Sequence, residues 1–227
     1  MAFDPPSSVF AEFKHQNVYY SWEGEDVLIA KICRDFLNLH CGFFVDVGAF
    51  HPIFLSNTYL LYKLGWRGIN IDATPGSMEL FREMRPGDTN LELAVAREPG
   101  TRTFRLYNEP TLNALVQHAP ETTSNHRFLR DVEVKCMPLT DILDSQKVSR
   151  RIDLLLVDAE GADLEVLESL DFRRYRPRLV VTEVLGCHDI DSVAQSPVSR
   201  LLRSKDYALF SRLHFSCVFM DRSLIPG

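Results

Sequence analysis

The alternation of short apolar runs with segments of helical periodicity constrains the fold of this chain more than any other feature. Strands are predicted for the runs FFVDV (43–47), RGINID (67–72), NLELAVA (90–96), RIDLLLVDAEG (151–161) and RPRLVVTEV (176–184), and two closing strands for 206–213 and 214–221. The almost unbroken apolar run after Arg151 is typical of a strand covered by helices on both faces. The pattern therefore predicts an α/β fold with a doubly wound, mainly parallel, seven-stranded Rossmann-like sheet and helices on both faces.

A chain of 227 residues fits one large domain, and we expect residues 1–227 to form it. Helices are predicted for 24–40, 56–65, 75–84, 140–146, 162–170 and 196–205, and further strands for 103–108 and 132–139. Residues 1–40 would form an N-terminal helical segment. Residues 109–131 are rich in Thr, Asn, His and Pro and lack a clear period, which is typical of a functional lid or a substrate-binding insertion.

Charge and cysteine content argue against several classes of protein. A net charge of −6 argues against nucleic acid as the main partner, because phosphate binding requires a basic surface. The arginine-rich runs 150–151 and 173–176 are interpreted as solvated helix ends. Five scattered cysteines without a CxxC pair predict neither a disulfide framework nor a zinc site, and they indicate a reducing, cytoplasmic setting. No apolar run reaches the roughly 18–20 residues needed to span a membrane, so no membrane association is expected.

Acidic residues follow the predicted strands, at the edge of the sheet where ligands bind in such folds. They are Asp46, Asp72, Asp158 with Glu160, and Glu183. The first strand runs into VDVGAFHP, which has the single glycine Gly48 and neither the GxGxxG of a dinucleotide fold nor the GK[ST] of a Walker loop. An acid in this loop would also repel phosphate, which disfavours a nucleotide-dependent oxidoreductase.

An acid beside a glycine suits a cationic ligand, and S-adenosylmethionine carries an ammonium and a sulfonium but no phosphate. Gly48 would let the backbone approach the methionine portion, and Asp46 would hold or order groups around the ammonium. Asp72, at the end of the second predicted strand, would accept hydrogen bonds from both ribose hydroxyls, each contributing roughly 1.5–3 kcal/mol. The alternative is that Asp46 only caps the next helix or turn.

The string FVDVGAFHPIFLSNTYLLYKLGWRGINIDATPGSMELF, followed by LELAVA and by IDLLLVDAEGADLEVLESL and RPRLVVTEV, resembles the FkbM-type methyltransferases. The similarity extends from about Tyr20 to Glu183 and includes SWEGEDVLI (21–29), in which Trp22 stands where the family has glutamine. The resemblance implies a class I, S-adenosylmethionine-dependent enzyme that O-methylates sugars, polyketides or related natural products. The tail after residue 185 matches little, so the resemblance does not define how an acceptor is recognised.

The resemblance also implies which positions form the donor site. They are Asp46, Gly48 and Ala49 for the donor loop, Asp72 and Ala73 for ribose and adenine, and Ala94 with Val95 for the wall beside the adenine. Glu25 and Asp26, in the segment that resembles the family, would close over the donor. The alternative for these two acids is that they begin the helix.

Methyl transfer requires an acceptor oxygen ~3–3.5 Å from the methyl carbon, and a sugar hydroxyl benefits from a base or a metal that lowers its pKa. Asp158 and Glu160 lie two positions apart on a predicted extended segment, so they would point the same way and share a proton or a cation, with Asp158 also touching the donor. Alternatively, Glu160 turns the chain and caps the next helix. Together with Glu183 the two acids would form an oxygen-rich cluster suited to Mg²⁺, although such clusters also occur without metal.

His51 in the donor loop is a candidate base, with a positioning role as the equal alternative. His188 is a second candidate base, for which a plain loop position is the preferred interpretation. The expected function is therefore O-methylation of a hydroxyl on a sugar or glycoside, with S-adenosylmethionine as cofactor. A non-catalytic donor-binding module and a nucleic-acid or protein methyltransferase are the alternatives, and formation of a homo-oligomer is left open.

Overall fold

The computed structural model describes residues 18–123 and 125–226, which form an α/β fold with two sheets. The strands are β1 (Phe43–Val47), β2 (Arg67–Asp72), β3 (Thr89–Glu92), β4 (Ala94–Val95), β5 (Gly100–Tyr107), β6 (Ala114–Leu115), β7 (Phe128–Met137), β8 (Leu154–Val157), β9 (Leu179–Glu183), β10 (Tyr207–Arg212) and β11 (Ser216–Asp221). The helices are α1 (Glu25–Lys31), α2 (Tyr59–Lys63), α3 (Ser77–Met84), α4 (Leu139–Ser145), α5 (Asp163–Glu168), α6 (Ile190–Ala194) and α7 (Pro197–Ser204). A π-helical turn, Ile32–Phe36, continues α1, and short 3₁₀ turns span Pro110–Leu112 and Arg222–Leu224.

The main sheet is mixed and has seven strands in the order β10-β11-β9-β8-β1-β2-β3. The five strands from β9 to β3 are parallel, and β11 runs antiparallel to both of its neighbours. In the centre, Val47 is level with Ile71 on one side and with Val157 on the other. The residues that follow these three positions therefore meet at one edge of the sheet.

Alternation of side chains along the strands creates two separate cores, one on each face of the main sheet. On one face, Val45 and Leu155 pack in a cluster with buried residues of α4, α5 and α7. On the other face, Phe44 and Leu156 pack in a cluster with Trp66 and buried residues of α1 and α2. Helices thus lie on both faces, as the apolar run of β8 predicts.

A second sheet of four strands, in the order β4-β7-β5-β6, was not predicted. The run 90–96, expected to be one strand, divides at Leu93: β3 pairs with β2 in the main sheet, whereas β4 pairs with β7 in the second sheet. The prediction was wrong here because an apolar run carries no information about which strand its two halves will pair with. Long antiparallel pairing of β5 with β7 supplies most of the second sheet.

Several predicted boundaries also differ from the structure. Residues 109–131 are not wholly irregular, because they contain a 3₁₀ turn, β6 and the first four residues of β7. Those first residues of β7 are all exposed, so they lack the alternation that marks a half-buried strand. The predicted strand 151–161 ends at Val157, and 158–161 form a turn. Within the described residues no helix is long and apolar enough to cross a membrane.

Candidate active site

A cavity of about 410 Å³ lies where the parallel strands of the main sheet end, and its volume is within the range of small-molecule sites. One wall comes from the strand ends and the loops after them. A second wall comes from β4, β5, β6 and the turn before β6, so the unpredicted sheet forms part of the site. The lining includes the predicted positions Glu25, Gly48, Asp72, Ala73, Ala94, Val95, Asp158, Glu160 and Glu183.

The lining is strongly acidic. Among the described residues that form it, six carry carboxyl groups and none is Lys, Arg or His. The acids are Glu23, Glu25, Asp72, Asp158, Glu160 and Glu183. Because like charges repel and opposite charges attract more strongly in a partly desolvated site, the cavity suits a cationic ligand and opposes phosphate.

Gly48 shapes the cavity through its contact with a neighbouring strand end. Its φ is 83°, and a Cβ built on it would lie 1.7 Å from the carbonyl oxygen of Asp158. Its backbone N–H donates to the carbonyl of Ile71 at 2.9 Å. Glycine is therefore required here by the close approach of the backbone after β8, in addition to any approach of a ligand.

Asp72 lines the cavity and also organises two loops. One carboxylate oxygen, Oδ2, accepts from the backbone N–H of Phe50 at 3.0 Å, and Oδ1 accepts from that of Thr74 at 2.7 Å. Burial raises the pKa of this carboxyl above its ordinary value. Each oxygen retains a lone pair, so the side chain can accept hydroxyl hydrogen bonds from a ligand while it holds the loops.

Asp46, predicted to hold or order groups around the ammonium of the donor, is 2% exposed and does not line the cavity. Its Oδ2 accepts from the hydroxyl of Thr58 at 2.6 Å. The hydroxyl oxygen of Thr58 in turn accepts from Nη1 of the buried Arg85 at 3.0 Å. Arg85 also forms an ion pair with Asp88 at 2.9 Å. Burial raises the pKa of Asp46 to about 6. The side chain therefore lies beneath the loop after β1, where it can order that loop without lining the cavity.

Ala49 and His51 also lie outside the cavity lining. Ala49 is buried in a small cluster with Met78 and Phe81, which anchors the loop to α3. Nδ1 of His51 accepts from the backbone N–H groups of Ile53 and Phe54 at 3.1 and 2.9 Å. Burial lowers the pKa of His51, which favours the neutral ring that this acceptor role requires. Of the two predicted roles, the structure favours the positioning role over that of a base.

Glu25 and Asp26 take different places. Glu25 lines the cavity while its Oε1 accepts from the hydroxyl of Ser216 at 3.0 Å. Asp26 is fully buried away from the cavity, where it accepts from Ser21 and from the backbone N–H groups of Tyr20 and Val27. Both acids lie in the first turn of α1, as the alternative has it, and Glu25 in addition lines the cavity.

Asp158, Glu160 and Glu183 come together at the cavity, although the reason given for the first two was wrong. Glu160 lies in the turn after β8 with a φ of 48°, so Asp158 and Glu160 are not neighbours on an extended strand. Burial, followed by the charge of Asp158, raises the pKa of Glu160 to about 8. Burial and then Asp163 raise the pKa of Glu183 to about 8. Burial and then Glu183 raise that of Asp158 well above its ordinary value.

A metal site does not fit these residues. Within the described parts of the chain, no group of three or more His, Cys, Asp or Glu side chains is arranged to hold a metal ion. The predicted Mg²⁺ cluster of Asp158, Glu160 and Glu183 is thus not formed. His188 is exposed and lies outside the cavity lining, as its interpretation as a loop residue implies.

Three features of the site were missed by sequence reasoning. Asn57 lines the cavity, and its buried Oδ1 has no hydrogen-bond partner among the described residues. Asp163, at the start of α5, is buried and accepts from the hydroxyl of Thr182 at 3.2 Å. Trp22, Leu185 and Phe215 form an exposed apolar rim of the cavity, with Trp22 70% exposed. The SNT string, which is part of the resemblance, could have pointed to Asn57 as a site residue. The three residues of the rim are far apart in sequence, so no local pattern could have grouped them.

Comparison with known proteins matches most of the chain to one family. The family model described as the Methyltransferase FkbM domain matches residues 46–209. A curated relative from Synechocystis sp., CyanoP, is 25% identical over 134 residues, which are 59% of this chain and 57% of the relative. The chain therefore spans little more than half the length of that relative.

Two solved structures are also similar to this chain. The human methyltransferase 10 domain containing protein is 13% identical with a TM-score of 0.35, covering 96% of this chain and 83% of its own. The delta-N METTL16 MTase domain is 14% identical with a TM-score of 0.36, covering 87% of this chain and 94% of its own. Since the family model matches residues 46–209 of the 227, which is well over half, the chain belongs to the FkbM methyltransferase domain family.

Proposed function

We propose that this chain is a class I, S-adenosylmethionine-dependent O-methyltransferase that acts on a hydroxyl of a sugar or a glycosylated small molecule. The observation that carries the proposal is the lining of the cavity, with six carboxyl side chains and no basic side chain among its described residues. Such a lining favours a sulfonium and an ammonium over the phosphates of a nucleotide. The fold assignment is supported by five adjacent parallel strands with helices on both faces.

The lining residues fit the parts of the donor. Ala73, Ala94 and Val95 offer apolar surface for the adenine, and Asp72 has free acceptor capacity for the ribose hydroxyls. The unpartnered Oδ1 of Asn57 can accept an N–H of the ammonium. When bound, S-adenosylmethionine supplies a methyl group activated by a sulfonium.

The acids after β8 and β9 suit the chemistry of the acceptor. Glu160 and Glu183 have pKa values of about 8, so each exchanges a proton readily near neutral pH. In its ionised form, Asp158 or Glu160 would accept the proton of an acceptor hydroxyl held against it, and the bound donor would supply the methyl group to that oxygen. Exclusion of water by the surrounding walls favours this transfer over hydrolysis of the donor.

The rim of the cavity supports a sugar as the acceptor. Carboxylates accept hydrogen bonds from sugar hydroxyls, and the exposed aromatic ring of Trp22 offers a flat apolar surface to the C–H face of a sugar ring. Phe215 and Leu185 add apolar surface to the same lining. We also propose a cytoplasmic setting, which the five free cysteines support.

The proposal is tested by measuring how tightly the variant Asp72→Asn binds the donor. We expect S-adenosylmethionine and S-adenosylhomocysteine to bind the variant about 10- to 100-fold more weakly, because a charge-assisted hydrogen bond contributes roughly 1.5–3 kcal/mol. Isothermal calorimetry measures both affinities. The matched control is Glu92→Gln, which neutralises a carboxylate that also accepts from a loop N–H, that of Gly76, but lies outside the cavity lining.

Full donor affinity in Asp72→Asn, or an equal loss in Glu92→Gln, would contradict the donor assignment. The acceptor is tested by a screen of sugars and glycosylated metabolites with labelled donor, run with Mg²⁺ and with chelator. Transfer to nucleic acid or protein, with none to any sugar, would overturn the acceptor class. Tight donor binding without any transfer would indicate the non-catalytic module.

Donor binding is expected to release protons. At pH 7 the carboxyls of Glu160 and Glu183, with pKa values of about 8, are mostly protonated in the donor-free protein, and a bound sulfonium favours their ionised forms. The affinity for S-adenosylmethionine should therefore rise between about pH 6 and pH 9. Calorimetry in buffers of different ionisation enthalpy counts the protons.

S-adenosylhomocysteine, which lacks the sulfonium, is the control and should release fewer protons. The donor-free protein provides a second check on the same two groups. Their raised pKa values make its free energy of unfolding fall as the pH rises from about 4.5 to about 8, since the unfolded chain loses these protons at lower pH. A donor affinity independent of pH over this window would show that the two acids do not sense the ligand.

A further inference from the structure

A second cavity, of about 470 Å³, brings together the two arginine-rich runs. Arg150 and Arg151 precede β8, and Arg174 and Arg176 precede β9. Because β8 and β9 are parallel, both runs lie at the amino ends of these strands, the edge opposite to the acidic cavity. The four residues of β8 separate the two edges by roughly 13 Å, at about 3.3 Å per residue. The interpretation of these arginines as unrelated solvated helix ends is therefore incomplete.

Two of the four arginines are held in place by carboxylates. Arg174 donates to both oxygens of Asp144 at 2.9 and 2.6 Å, and Arg176 donates to both oxygens of Asp221 at 2.7 and 3.0 Å. Such two-point contacts fix the plane of a guanidinium. Asp221 is the one acid among the described lining residues, and Arg176 already satisfies it.

The other two arginines form no ion pair within the described part of the chain. Arg150 lies over the ring of Phe43, with its guanidinium carbon 4.9 Å from the ring centre. Arg150 and Arg151 are exposed, and neither forms a salt bridge with any carboxylate of the described residues. The hydroxyl of Ser149 lies in the same lining. The cavity thus combines fixed and free guanidinium groups in a chain whose net charge is −6.

We propose that this cavity binds the phosphate groups of a small phosphorylated ligand that carries at least two negative charges, such as a diphosphate. Guanidinium groups match phosphate oxygens by paired N–H donors, and Arg150 and Arg151, which form no ion pair, can together meet two negative charges. A concave site in an acidic chain fits a compact polyanion better than a long nucleic acid, which requires an extended basic surface. The proposal does not depend on the function proposed for the acidic cavity.

The test uses inorganic pyrophosphate as the probe and the full chain at fixed ionic strength. Calorimetry should show saturable binding at one site, and Arg150→Ala/Arg151→Ala should weaken it about tenfold or more, since each charge-assisted hydrogen bond contributes roughly 1.5–3 kcal/mol. The control Arg82→Ala/Arg130→Ala removes the same charge from two exposed positions elsewhere and should bind pyrophosphate normally. Asp72→Asn should also bind it normally, which separates this test from that of the donor site.

Unchanged binding in Arg150→Ala/Arg151→Ala would overturn the proposal, as would an equal loss in the control pair. Because all four replaced arginines are exposed, the variants should keep the parent's thermal midpoint, which is measured alongside. A short single-stranded RNA that binds more tightly than pyrophosphate, and loses binding in the same variant, would replace the small ligand with nucleic acid. Absence of saturable pyrophosphate binding to the parent chain would likewise refute the site.

Discussion

Gly48→Ala is expected to destabilise the protein by more than about 3 kcal/mol, the range of severe backbone and packing defects. The new methyl group would lie 1.7 Å from the carbonyl oxygen of Asp158, and the residue would have to keep a φ of 83°. Relief of this clash requires β1 and β8 to separate at the edge that forms the acidic cavity. In a protein of this size such a loss lowers the thermal midpoint by roughly 6–12 °C. Chemical denaturation and calorimetry measure both quantities.

Gly65→Ala is the matched control for this prediction. Gly65 has a similar φ of 95°, but a Cβ built on it would meet no atom within 4 Å. Its replacement therefore adds only backbone strain, on the order of 1–2 kcal/mol. If Gly48→Ala were no less stable than Gly65→Ala, the close approach of Asp158 would not be the reason for the glycine.

Asp158→Asn is expected to lower turnover about 100-fold or more while the donor still binds. The substitution keeps the size of the side chain and removes the carboxylate, whose pKa is raised by burial and by Glu183. General-base catalysis by a placed carboxylate contributes typically ~10²–10⁴-fold, which sets the expected loss. Turnover is measured with the acceptor found by screening, and donor affinity by calorimetry of the same variant.

The control for Asp158→Asn is Asp191→Asn, an identical change at an exposed position of α6 away from the cavity lining. It should retain both donor affinity and turnover. If Asp158→Asn lost donor affinity in proportion to its turnover, the carboxylate would serve binding and not proton transfer. If turnover persisted, Glu160 would be the next carboxylate to replace, since it lines the same cavity.

The acidic strand ends were predictable because parallel strands must end at one edge of a sheet. The place of each acid was less predictable. Asp72 is the last residue of β2 and faces the cavity, whereas Asp46, one residue before the end of β1, points beneath the loop that follows β1. The hydroxyl of Thr58 holds Asp46, and Arg85 donates in turn to that hydroxyl. Arg85 lies after α3, and no local pattern predicted that it would be buried here.

The local geometry of the turn after β8 was also not predictable from the sequence. Its sequence, DAEG, continues the polarity expected of a strand end, so an extended course through Glu160 was a reasonable prediction. The positive φ of Glu160 and Gly161 shows that the chain turns instead. The two acids still reach one cavity, because the turn returns the chain to α5 beside the end of β9. A correct prediction of proximity therefore rested on an incorrect local geometry.

By itself, the sequence determined the alternation of strands and helices, the covering of the main sheet on both faces, and the acids at its carboxyl edge. These follow from periodicity and strand order, which are local properties of the chain. Only the tertiary structure decided that 90–96 divides between two sheets, that the second sheet walls the cavity, and that two distant arginine runs form one basic cavity. Those features depend on pairing between segments far apart in sequence, and no local pattern of polarity specifies such pairing.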